Sequence, residues 1–311
     1  MFSYNINIRE KEFHIKALSI MEYDIHFLDD ITEMIEKIEK SECERIYCSC
    51  IMEYRNFNKM GIAYLYNILI YFSIKKNVFV QQELYQLFHE KVSRSDGTKF
   101  KEIDIFDDKL SEIQQCYCIR NDKEVNQTVP ILVKCIAKNN LLFNNAEEFL
   151  ITTIGEIFSN AFNHSNENEV LFMYNIERCD EKFYLVINIT DYGKNIIHNV
   201  QNYQETQYKK QLDSMESLVW ALKKGNTTRI GSGGYGLSTL IDYVREVRGE
   251  LLICSGDCIY ELKGKKENII KAKGIFMGTS VSMKLPLFDT SKLISYDKEN
   301  NKIFSVTLDQ I

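Results

Sequence analysis

The 311-residue sequence predicts a mixed α/β protein in two units, a small one over 1–122 and a larger one over 123–290, with a strand or tail over 291–311. Three observations carry that expectation. The first third alternates short extended runs with helical ones. The chain turns polar at Asn121–Thr128, just before Pro130. Glycines, only 14 in all, gather at Gly231, Gly233, Gly234 and Gly236 ahead of an amphipathic segment. Alternating strand and helix patterns are what βαβ units look like in sequence.

In chain order, Glu12–Leu18 reads as extended, and His26–Ile38 places Phe27, Ile31, Ile35 and Ile38 at helical spacing. Arg45–Ile51 reads as a short strand, Lys59–Ser73 as an apolar helix, Val78–Val80 as a strand and Gln81–Val92 as another helix. A turn is expected at Ser95-Asp96-Gly97. Beyond the polar stretch, helices are expected from about Ile131 and Asn145, and a strand over Phe183–Thr190.

Composition narrows the function classes. Hydrophobic residues make up 45% and charged residues 26%, enough to build a core and cover it. A net charge of -6 supplies no global field for nucleic acid or anionic membrane, so neither is expected as a partner. The nine cysteines, Cys48 and Cys50 or Cys116 and Cys118 among them, lack structural-zinc spacing and read as reduced core thiols. The longest apolar stretch, Met60–Ile74, is too short for a membrane span, and the opening residues lack a signal peptide's basic and apolar regions. A cytoplasmic location is expected.

Four motifs carry chemistry. On a helix from about Ala146, Glu156 and Asn160 are four residues apart and share one face, with Ile154, Ile157, Phe158 and Phe162 left to pack the others. An amide oxygen can ligate a hard cation while a carboxylate orients or deprotonates a nucleophile. Asp191-Tyr192-Gly193 follows the strand, where a carboxylate can accept from an exocyclic amine, although an ordinary Asx turn would use the same residues. The glycine cluster through Gly236, then Leu237, opens a helix whose free N–H groups and dipole suit phosphate. It is not a P-loop or dinucleotide fingerprint, since no strand directly precedes it. Last, Gly278-Thr279 leads a strand to Pro286. Between Asn195 and Ile230 lies a polar, lysine-rich segment suited to a lid.

Taken in order over about 131–287, these motifs resemble the N box, G1 box, G2 box and final Gly-Thr strand of the GHKL (Bergerat-fold) ATPases. Asn160-Ala161-x-x-His164-Ser165 and Gly234-x-Gly236-Leu237-Ser238 look closest to the histidine-kinase and anti-sigma-factor branch. The resemblance implies an α+β sandwich with a mixed sheet covered by helices on one face, binding ATP and Mg²⁺. It implies that Glu156 is the acid–base residue, that Asn160 holds Mg²⁺, and that Asp191 reads adenine in a pocket lined by Gly193. It places Gly233, Gly234, Gly236 and Leu237 at the phosphates and Thr279 on the adenine side.

Two departures stand out. Asn195 replaces the last glycine of Asp-x-Gly-x-Gly, which should stiffen entry to the lid. Asn163 stands where many kinases carry lysine, leaving phosphate charge to His164, Lys194, Lys224 or Arg229. The N-terminal run from Arg45 through Gly61 to Val80 is similar to a STAS-like (anti-sigma-antagonist) unit, but Lys59-Met60 occupy the place of its phosphoacceptor. That similarity implies a docking or sensing module. The expected function is nucleotide-dependent regulation of a protein partner, through slow ATPase or Ser/Thr or His kinase activity. The alternative is a non-catalytic, nucleotide-gated scaffold; a homodimer is allowed by the resemblance, though no heptad seam marks one.

Overall fold

The computed structural model describes residues 2–17, 24–50, 61, 64–65, 68–69, 71–73, 76–82, 93–94, 114–138, 146–165, 170–179, 182–228, 234–286, 292–297 and 302–307. The fold is mixed α/β, with a four-stranded sheet, a six-stranded sheet and a two-stranded hairpin among the described residues.

The four-stranded sheet runs β1 (Phe2–Asn7), β2 (Glu12–Ala17), β3 (Arg45–Cys50) and β4 (Phe79–Gln82), in that spatial order. β1 pairs antiparallel with β2, and the other two pairings are parallel. Parallel neighbours need crossovers. α1 (Ile25–Ser41) supplies the first, and the helical residues within 61–73 (α2) lie in the second. α1 starts where Asp24 accepts the Phe27 N–H at 2.8 Å, a side-chain N-cap. Its apolar stripe, Phe27, Leu28, Ile31, Met34, Ile35 and Ile38, is buried. β4 includes Gln81 and Gln82, where the sequence reading began a helix; the rest of that helix, and the Ser95-Asp96-Gly97 turn, lie outside the described residues.

The six-stranded sheet has the order β5-β6-β7-β8-β10-β9. Its strands are β5 (Ser93–Arg94), β6 (Gln114–Ile119), β7 (Val170–Cys179), β8 (Lys182–Asp191), β9 (Glu250–Lys263) and β10 (Lys266–Pro286). The sheet therefore takes in chain from before the expected boundary at 122. Cys116-Tyr117-Cys118, which drew notice only as a cysteine pair, lies in β6 beside β7. α3 (Asp122–Lys138) runs through the expected boundary and keeps Pro130 inside it. Proline in a helix interior forfeits a backbone hydrogen bond. Burial of Thr128, Val129, Leu132 and Val133 on either side offsets that loss.

Two cores share this sheet. On one face, α3, α4 (Ala146–Ser165) and α7 (Gly236–Glu246) pack residues such as Val129, Ile154, Phe158 and Val244 against Ile187, Ile253 and Met283. On the other face, Leu252, Cys254, Ile259, Ala272 and Phe276 of β9 and β10 join α1, α2 and the four-stranded sheet in a second core. The layers thus run sheet, helices, sheet, helices. Side chains along β9 alternate faces until Gly256, whose φ of +58° marks an irregular register; beyond it the even positions Cys258, Tyr260 and Leu262 take the helical side. Near the end of β8, the second face holds a buried polar cluster. Asn188 donates to Ser280 Oγ at 2.9 Å and Ser282 Oγ at 2.6 Å, and the Thr190 hydroxyl donates to Asn188 Oδ1 at 2.9 Å.

The seam between α1 and β10 is close. A Cβ added to Gly274 would stand 2.2 Å from the Thr32 carbonyl oxygen. Asp29 accepts the Lys273 backbone N–H at 2.7 Å, and the Lys273 ammonium lies 2.9 Å from Asp30 and 3.3 Å from Asp29. Hydrogen bonds to these two carboxylates raise the Lys273 pKa. The ammonium is half exposed, so solvent screens the pair and the backbone approach matters more.

Among the described residues Cys43, Cys48, Cys254 and Cys258 are core thiols, all buried. Burial pushes the Cys258 thiol up to about 12, suppressing its thiolate. The C-terminal tail forms an antiparallel hairpin, β11 (Lys292–Asp297) and β12 (Lys302–Thr307), with β12 beside α7 and β11 beside α4.

Gly274→Ala should force α1 off β10, because both colliding groups are backbone. A loss of about 1–3 kcal/mol is expected from such overpacking, read as a lower urea midpoint without a change in slope.

Candidate functional site

Seven of the expected site residues meet around one cavity of about 280 Å³: Glu156, Asn160, Asp191, Gly234, Gly236, Leu237 and Thr279. Lys194, one of the proposed charge-balancing residues, also lines it.

The geometry follows from the elements. α4 buries Ile154, Ile157 and Phe158 in the core, which turns Glu156 and Asn160 toward the cavity one helical turn apart. β8 ends at Asp191, 4% exposed, on the same face as Ile187 and Ile189. Asp191 Oδ1 accepts the Gly193 N–H at 3.1 Å, so the Asx turn and the cavity-lining carboxylate are one arrangement. Gly193 acts here by holding Asp191 and does not itself line the cavity. Thr279 is Asp191's direct partner across the β8–β10 ladder. Its hydroxyl lies 3.0 Å from that of Ser255, which is fully buried.

Ser255 also accepts the Ile196 N–H at 2.9 Å, tying β9 to the first residue of α5 (Ile196–Tyr208). Asn195, the departure from the expected glycine, is the N-cap of α5 and accepts the His198 N–H at 2.8 Å. The substitution exchanges backbone freedom for a fixed helix start. α5 packs on α6 (Ser214–Leu222), whose Asp213–Glu216 capping box fixes its own first turn. The polar, lysine-rich lid segment thus contains two short helices, and Trp220 of α6 lines the cavity.

Gly225 donates its N–H to the Gly234 carbonyl at 2.9 Å, and Gly234 has a φ of +86°, which L side chains rarely adopt. α7 then starts at Gly236 with no side-chain cap, leaving the positive end of its dipole at the cavity wall. A Cβ at Gly236 would stand 2.3 Å from Glu156 Oε2. Glycine here lets the α4 carboxylate sit against the start of α7.

Gly231, Gly233 and Arg229 lie outside the described residues, as does the His164 side chain, although His164 is on α4. Lys224 sits over the Tyr235 ring, 6.0 Å from its centroid. Sequence reasoning missed Ser255, Asn199, Trp220, Asn226, Thr227 and Tyr235. The one available signal was Trp220, a lone tryptophan in a polar segment.

The donors suit a nucleotide with a hard cation. Buried Asp191 lines the cavity beyond the Ile189–Val281 pair, while a helix start such as that of α7 suits an anion. Among the described residues no cluster of three His, Cys, Asp or Glu could hold a metal. Mg²⁺ would therefore depend on the Asn160 amide oxygen, phosphate oxygens and water, a sparse protein set that this ion accepts.

No family model matches this chain, and a search of the curated proteins finds no match.

Asn195→Ala should remove the α5 cap and cost about 1 kcal/mol, seen as faster amide exchange in the first turn of α5. Ser255→Ala should speed exchange of the Ile196 amide without disturbing α6.

Proposed function

We propose that the cavity binds ATP with Mg²⁺ and that the protein is a GHKL-type nucleotide-dependent regulator of a protein partner. The observation that carries this reading is the convergence on one cavity of residues from four separate stretches of chain. Glu156 and Asn160 come from a helix face, Asp191 and Thr279 from facing strands, and Gly234, Gly236 and Leu237 from a helix start.

In this reading the Asp191 carboxylate accepts from the adenine amine, and apolar Ile189 and Val281 flank the base. The first turn of α7 and Lys194 take up phosphate charge. Asn160 would hold the metal ion, which, when bound, neutralises and orients the phosphates. Glu156, one turn from Asn160, would orient or deprotonate the attacking group, either water or a partner's side chain. α5 and α6 exclude solvent from one side.

Trp220 is the protein's only tryptophan and lines the cavity, so its emission should change saturably on addition of Mg-ATP. Asp191→Asn should weaken ATP binding roughly ten- to hundredfold, the scale of a hydrogen bond to a charged group. Asn160→Ala should abolish the Mg²⁺ dependence of binding; an unchanged titration in both variants would remove the basis for the proposal.

Glu156→Gln should keep ATP affinity while lowering phosphate release or transfer by about two orders of magnitude. Radiolabelled γ-phosphate separates the outcomes: free phosphate marks an ATPase, and label on a second protein marks a kinase. Full regulatory function in Glu156→Gln would instead favour nucleotide-gated scaffolding.

A further inference from the structure

We infer that Tyr192 is a positioning residue for the base-reading carboxylate, and that the N-terminal unit thereby forms part of the nucleotide site. The inference rests on the ATP reading above and deepens it by naming what holds Asp191 in place.

Asp191 and Tyr192 are consecutive at the end of β8, and their side chains go to opposite sides of the sheet. Asp191 lines the cavity, whereas Tyr192 packs into the core shared with the N-terminal unit. Its ring stacks on Tyr71 of α2, with centroids 4.3 Å apart and planes 19° from parallel. It also meets Phe276 of β10 at 5.9 Å. The ring series continues from Phe276 to Tyr64 at 6.1 Å and from Tyr64 to Phe27 of α1 at 6.3 Å. Five aromatic rings therefore connect both N-terminal helices to the residue beside the carboxylate.

The backbone at this point has little other freedom. Asp191 is held by its pairing with Thr279 of β10 and by the Gly193 N–H, at the strand end that Tyr192 packs from behind. Moving the Tyr192 ring rotates the peptide joining it to Asp191, and with it the carboxylate's direction. The phosphate side, built from α4 and α7, has no such connection to the ring series among the described contacts. The N-terminal unit should therefore act on recognition of the base and leave recognition of the triphosphate alone. By reciprocity, nucleotide binding should tighten the seat of α2.

The test uses the full chain as wild type, Tyr71→Ala and Tyr71→Phe, each first checked for cooperative thermal unfolding. Affinities for ATP, GTP and inorganic triphosphate are then measured with Mg²⁺. Tyr71→Ala should bind ATP about tenfold more weakly, within the usual range of coupling between sites. It should lose most of the preference for ATP over GTP and bind triphosphate as wild type does. Tyr71→Phe, which keeps the stacked ring, should restore both affinity and preference. An unchanged ATP-to-GTP ratio in a folded Tyr71→Ala variant overturns the inference, as does a parallel loss for all three ligands. Failure of wild type to bind ATP at all would instead remove the ATP reading, and the inference with it.

Discussion

The structure depends on β10, which serves two cores in turn. Along its length, Ala272 and Phe276 belong to the core of the N-terminal unit, while Val281, Met283 and Leu285 belong to the core under α4 and α7. α1 can reach the strand because Gly274 presents no side chain to Thr32. Dispersion falls off steeply with separation, so a wider gap at this point would loosen contacts in the whole second core. The sheet is therefore a shared wall, and neither unit can shift along it without disturbing the other.

That wall also explains why the cavity sits where it does. Strands β8 and β10 end their pairing at Asp191 and Thr279, just where the sheet stops being covered by apolar side chains and polar ones begin. α4 and α7 then bring a carboxylate, an amide and an uncapped helix start to the same opening. The result is graded: a buried carboxylate at one end, and at the other a helix start beside a carboxylate and an amide. Hydrogen bonds from Ile196 N–H to Ser255 and from Gly225 N–H to Gly234 tie residues at the border of this gradient.

Much of this was legible in the sequence because it depends on local periodicity and on residue types with few alternative uses. The α1 stripe, the shared face of Glu156 and Asn160, and the strand ending at Asp191 each follow from spacing. The misses have a different physical origin. β6 is short, with glutamines and cysteines, and gains its place by pairing with β5 and β7, which lie far from it in sequence. Pro130 reads as a breaker, yet burial of its neighbours outweighs the missing hydrogen bond. Ser255 is one of many serines until its strand is placed between Thr279 and the start of α5. No local signal showed that β9 would be covered on both faces, because a strand buried on both faces reads as a plain apolar run.

The shared wall has a consequence for biosynthesis. α1 and α2 leave the ribosome well before Leu252, Cys254, Ile259, Ala272 and Phe276, which complete their core. At about 5–20 residues per second, the intervening chain takes on the order of ten seconds or more to make. During that interval the apolar flank of α1 has no sheet to rest on. The final packing of the N-terminal unit is then set by the arrival of the β9–β10 hairpin.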